Sequence, residues 1–142
     1  MLALIRDRLK AQLGDAVRSV GAAADMASAM GNVVAVPACY VIPLGEDGQP
    51  NEMLGVVRQA IHQTVGVVLV VSNAKDLRGG EASIDLEDLR GKVKRALIGW
   101  TPDPQTGYEM AFEQGRLLSI DERKQLWWAD RFVCQYDYIR QP

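Results

Sequence analysis

Residues 65–71 read VGVVLVV, a run without one polar side chain. Successive side chains of a strand point to opposite faces of its sheet. A strand that is apolar at every position therefore needs cover on both sides. The run predicts the central strand of a sheet flanked on both faces, by helices or by another subunit. It ends a longer β-prone stretch from Val56 to Ser72.

Partner strands are legible on either side of it. PACYVIPL at 37–44 is apolar and β-prone, and Pro43 near its end points to an edge position or a strand terminus. GEDGQPN at 45–51 predicts a turn or exposed loop. Val17 to Val20 predicts a short strand. Tyr108 to Gln114 and Arg116 to Ile120 predict two strands around Gly115, followed by a charged turn over Asp121 to Lys124. Lys124 to Arg140 then predicts a long strand. Trp128, Phe132, Cys134, Tyr136 and Tyr138 fall on one of its faces; Trp127, Ala129, Arg131, Val133, Gln135 and Asp137 fall on the other.

Helical spacing appears in three places. Leu2, Ile5, Leu9 and Leu13 form one stripe that stops at Gly14. Ala22 to Met30 is rich in Ala and Met and ends at Gly31. Asp85 to Ile98 is the clearest helix, with Leu86, Leu89, Val93, Ala96 and Leu97 in one stripe. Glu81, Asp85, Glu87 and Asp88 lie at its start, and Lys92, Lys94 and Arg95 near its end, where each sign complements the helix dipole. Gly99 supplies a stop. Ala74 to Gly80 reads as a polar loop and Thr101 to Gly107 as a proline-rich one. No composition break divides the chain, so residues 1–142 are expected to form one α+β domain.

With 142 residues, 48% hydrophobic, the chain can bury a core without disulfides or metals. A net charge of −2 argues against specific nucleic-acid binding. The start of the chain is a charged amphipathic stretch and not a secretory leader, and no apolar run approaches the ~20 residues of a membrane span. The expectation is a protein made in the cytoplasm, with no membrane partner.

Catalytic constellations are missing. His62 is the only histidine, and it sits in a strand-like segment. No CxxC or HxxxH occurs, so no metal is expected. Cys39 and Cys134 lie in apolar runs and read as buried free thiols. A Cys–His nucleophile would need one of them beside His62. No phosphate-binding glycine loop is present, and no cofactor is expected. The acidic residues before the long helix read as helix N-terminal charge, and Arg90, Lys92, Lys94 and Arg95 as a solvated face or, alternatively, a docking surface.

The aromatic cluster at 127–138 is the unusual feature. Trp127 and Trp128 are adjacent and must point to opposite faces, so one fills the core and the other needs a helix, a loop or another subunit. Both are candidate subunit-interface residues. Further candidates lie in the two loops: Glu46, Asp47, Gln49 and Asn51 in the first, and Asp103 and Gln105 in the second.

Several segments carry a resemblance. PACYVIPLGE at 37–46, GVVLVVSNAKDLRG at 66–79, DLEDLRGKVKRALIGWTPDP at 85–104 and GRLLSIDERKQLWWADRF at 115–132 follow one another in an order that resembles the phage tail terminator-like family, of the minor tail protein U type. The resemblance covers roughly residues 33–140, and LIGWTP and LWWADRF are its most specific segments. It implies a mixed, mostly antiparallel β-sheet flanked by helices, with no catalytic residues. It further implies a structural role. Subunits would form a ring, typically hexameric, on the end of a completed tail tube, stop its polymerisation and present a surface to the head–tail connector. The implied partners are copies of the chain, the tail tube protein and the connector protein; the implied place is the virion tail, assembled in the bacterial host cytoplasm, from a phage or prophage. Three other readings are weighed beside it: a head–tail joining or neck protein, a small adaptor domain that binds a peptide along a strand edge, and a Cys/His hydrolase.

Overall fold

The structure is a computed structural model that describes residues 1–51, 53–72 and 81–140, and only the backbone of 81–85. The chain runs α1 (Leu2–Leu13), a short 3-10 turn (Gly14–Ala16), β1 (Ser19–Gly21), α2 (Ala23–Ala29), β2 (Ala38–Gly48), β3 (Val57–Ser72), α3 (Glu81–Leu97), β4 (Ala111–Ile120) and β5 (Gln125–Arg140). The sheet order is β1-β2-β3-β5-β4. Only the β1/β2 pair is parallel, so the sheet is mixed and mostly antiparallel.

The apolar run lies in the central strand, as its patterning requires. Val65, Val67, Leu69 and Val71 face α1 and α3, with Cys39, Val41, Phe132 and Cys134 beside them. The helices contribute the two stripes read above: Ile5, Leu9 and Leu13, then Leu86, Leu89, Val93, Ala96 and Leu97. Val68 and Val70 face the other way, into a second core with Ala38, Tyr40, Val34 and Trp127. The chain itself covers that second core, through Met26 and Ala29 of α2 and Val36 after it. The Gln125 side chain clamps the covering segment: its Nε2 donates to the Val34 carbonyl at 2.7 Å, and its Oε1 accepts from the Val34 N–H at 3.2 Å. Each fully buried aliphatic side chain contributes about 1.5–3 kcal/mol relative to exposure.

Two expectations are corrected. Residues 45–48 do not form a turn. β2 continues through them, and Glu46 and Asp47 pair with Gln63 and His62. A register shift between Pro43 and Gly45 resets the ladder. The turn residues were read for their propensity, but β3 presents an unbroken partner edge that outweighs it. Pro43 is tolerated because β1 ends opposite Tyr40, which leaves the outer side of β2 open beyond that point. The second correction is at Gly115, which does not separate two strands. Residues 108–110 lie outside β4, which runs unbroken from Ala111 to Ile120, with Gly115 paired to Asp130. A Cβ at Gly115 would meet Asp130 Oδ1 at 2.5 Å and Arg90 Nη2 at 2.6 Å. The glycine is there for close approach and not for a turn.

β1 falls slightly later than Val17–Val20, and Val17 is a core residue. Gly99 ends α3 with a φ of 83°, in the left-handed region where glycine is favoured. The polar loop read at 74–80 lies outside the described residues. No helix among the described residues is long and apolar enough to cross a membrane.

Candidate assembly surfaces

β2, β3 and β5 all extend past the two cores. Beyond Val65 the side chains of β3 turn from fully buried to exposed or half-buried, Gln63 excepted. The projecting part is an arm formed by residues 44–48, 57–62 and 135–140. Cross-strand contacts stiffen it. Tyr136 OH donates to Glu46 Oε1 at 2.9 Å, spanning β3. His62 Nε2 and Gln135 Oε1 lie 2.9 Å apart. Arg58 donates from Nε and Nη2 to Asp137 Oδ2 at 3.0 and 2.9 Å. The loop at the end of the arm is organised by Asn51. Its Oδ1 accepts the Arg58 N–H, and its Nδ2 donates to the carbonyls of Met53 and Val56.

The end of this arm is apolar. Leu54 is 99% exposed, and Met53, Val56, Val57 and Ile139 are also exposed around it. A second group of exposed apolar side chains lies at the far end of the sheet: Leu118 of β4, on the α2 face, with Met30 and Val33 after α2; Leu117 and Ile120, exposed too, pair with Trp128 and Leu126 and so lie on the α3 face. β4 is also a sheet edge, with one side unpaired.

The residues singled out from the sequence have separate fates. Trp127 is only 6% exposed; its ring stacks on Tyr40 with centroids 6.3 Å apart, and its Nε1 donates to Asp121 Oδ2. Trp128 points to the opposite face, half-buried beneath the Arg90 guanidinium, which lies 4.5 Å from its ring. Its Nε1 donates to Asp130 Oδ1 at 3.0 Å. Both indoles are therefore engaged within the chain. Glu46, Asp47, Gln49 and Asn51 come together on the arm. Asn51 is occupied in holding the loop, Glu46 takes the Tyr136 hydroxyl, and Asp47 and Gln49 are exposed. Asp103 and Gln105 lie apart from these, in the 101–107 loop against the base of the arm, where the Asp137 N–H donates to the Thr106 carbonyl. Asp103 accepts from Thr106 Oγ1 and the Gln105 N–H, and the Thr106 hydrogen bond foremost holds its carboxyl below the usual carboxylate range. The exposed apolar group at the arm end was missed. Its signal is a Met–Leu pair set among turn residues, where nothing local can bury it.

The Cys–His pairing weighed from the sequence does not form. His62 and Cys134 sit on neighbouring strands but face opposite sides of the sheet, since His62 pairs with Gln135. Cys39 pairs with Leu69 and Cys134 with Gln63, about 20 Å apart along β3 at ~3.3 Å per residue. That separation is too great for a disulfide. Both thiols are free. Burial pushes the Cys39 thiol from an ordinary 9.0 up to about 12. The folded state therefore keeps its proton where the unfolded chain loses it. Cys39 should contribute stability that is intact below pH 9 and falls as pH rises from 9 towards 12. Cys39→Val should flatten that decline in unfolding curves measured across this range; an unchanged decline would assign it to other groups. No group of three or more His, Cys, Asp or Glu side chains suited to a metal is present among the described residues.

Three of the four basic side chains named on α3 have partners, and Arg95 is exposed. Arg90 binds Asp130, Lys92 lies 3.4 Å from Asp88, and Lys94 lies over the Phe112 ring.

Comparison with known proteins agrees with a structural role. A family model described as phage tail terminator protein matches residues 1–142. Among solved structures, the chain is similar to a chain of one titled "Virion of native gene transfer agent (GTA) particle", with a TM-score of 0.61 and 12% identity, covering 97% of this chain and 95% of that one. A likeness at that identity concerns the fold. None of the curated proteins compared matches. Because the family model spans the whole chain, the protein belongs to the phage tail terminator family: it is a structural component of the tail of a phage-like virion and not an enzyme.

Proposed function

We propose that this protein closes the end of a completed tail tube. Copies assemble as a ring, of six in the favoured reading, that stops further tube polymerisation and presents a face to the head–tail connector. The family membership supports the terminating role. The single structural observation that carries the ring is the presence of two separate exposed apolar surfaces, one on the arm end and one along β4. Head-to-tail assembly uses two different surfaces on every subunit, whereas a two-fold dimer uses one. The tube protein and the connector are the partners this reading requires, and the two open faces of a ring would meet one each.

Negative-stain images of tail tubes mixed with the purified protein test the proposal. Tubes should acquire a discrete cap at one end and stop elongating when further tube protein is added. Caps absent and elongation continuing would reject it. Protein found only on head connectors, with bare tube ends, would favour a neck protein instead.

A further inference from the structure

The two exposed apolar surfaces lie at opposite ends of the sheet. Val57 pairs with Arg140 at one end of β3 and β5, and Ser72 pairs with Gln125 at the other. Ile120, opposite Leu126, belongs to that second end. Sixteen residues of β5 at ~3.3 Å each separate them by about 50 Å. No fold of one chain can bring them into contact, but two copies can.

Their polarity and charge are complementary. At the arm end Leu54 is 99% exposed, with the exposed Met53 and Val56 beside it. The other surface is a groove of about 460 Å³ between α2 and the end of β4, lined by Met26, Met30, Leu118, Ile120 and the edge of Trp127. Arg123, at its rim, donates from Nη2 to the Gly31 carbonyl and so braces one wall. The rim also carries the acidic pair Asp121 and Glu122. Asp121 is held as a carboxylate by the backbone N–H of Gln125 foremost, by Trp127 Nε1 and by the N–H of Arg123. The arm end carries Arg140 beside Asn51, Met53 and Val56. An exposed apolar loop with a cationic flank thus matches an apolar groove with an acidic pair on its rim.

We propose that the contact between neighbouring copies is the arm end of one seated in the α2/β4 groove of the next. Leu54 occupies the space between Met30 and Leu118, and Arg140 approaches Glu122. The contact is heterologous, so it propagates around a ring and leaves no surface of either kind open once the ring closes. This rests on the ring reading above and assigns its residues.

Paired cysteines test it. A chain carrying both Leu54→Cys and Leu118→Cys, added to uncapped tail tubes under mild oxidation, should give a ladder of covalent oligomers on a non-reducing gel. Neither single variant should give one, since each places only one thiol at any contact. Both positions are exposed, so the fold should tolerate the changes. Caps seen on the tubes without a ladder would overturn the docking and leave the ring intact. Dimers from Leu54→Cys alone would overturn it in favour of a two-fold contact. Absence of caps with the unaltered protein would overturn the ring reading and the docking together.

Discussion

Replacing Asp130 with alanine is expected to destabilise the protein by about 3–5 kcal/mol, the range for breaking a buried ion pair from one side. Asp130 is fully buried, and Arg90 is its only cationic partner among the described residues. Arg90 Nη2 donates to Oδ1 at 2.8 Å, and Arg90 Nε lies 3.1 Å from both carboxylate oxygens. Trp128 donates to the same Oδ1 and supports the guanidinium with its ring. Removing the carboxylate leaves a largely buried arginine with no counter-charge. The group joins α3 to β5, with β4 passing directly over it at Gly115. Denaturant unfolding should show a lower midpoint with little change in slope. Arg90→Met combined with Asp130→Leu should recover most of the loss, because the pair is then removed whole. A double variant as unstable as Asp130→Ala would show that the pair does more than satisfy itself. Gly115→Ala gives an independent check, since its Cβ has no room beside the carboxylate.

Phe132→Ala is expected to cost about 3–5 kcal/mol, as large buried aromatics do when truncated. Phe132 is fully buried where β3, β5 and β4 meet the helices. It pairs with Val65 on one side and Phe112 on the other, in edge-to-face contact with the Phe112 ring at 5.6 Å between centroids. A cavity there lies inside the main core, with hydrogen-bonded strands on both sides that resist collapsing into it. Thermal or urea unfolding measures the loss; a cost below about 1 kcal/mol would mean the site relaxes around the gap. Neither Phe132 nor Asp130 belongs to an exposed surface. Both variants should therefore lower the amount of folded protein while leaving tube capping per folded molecule unchanged. Changes at Leu54 or Leu118 should do the reverse.

Much of the fold was legible because its signals are local. An all-apolar strand announces two covered faces, and VGVVLVV lies at the centre of the sheet with both faces buried. The stripes of α1 and α3 repeat at helical spacing, and the same residues pack on the sheet. Alternation along 124–140 sorts Trp127 and Trp128 to opposite sides of the sheet, where they lie. The errors have a common cause. Gly115 and the GEDG segment carry turn residues, and propensity alone makes them breaks. Each is overruled by a partner distant in sequence: Asp130 and Arg90 at the first, and the far half of β3 at the second.

The sequence by itself determined the class of fold, the central strand and the covering helices. Periodicity and residue type settle those questions over short windows. Tertiary structure alone decided which surfaces remain open. The tryptophans, the obvious interface anchors, are engaged within the chain by Tyr40, Asp121, Arg90 and Asp130. Leu54, an unremarkable leucine in a turn, stands 99% exposed at the end of a stiff arm. Exposure depends on where every other segment goes, and no window of the sequence contains that information.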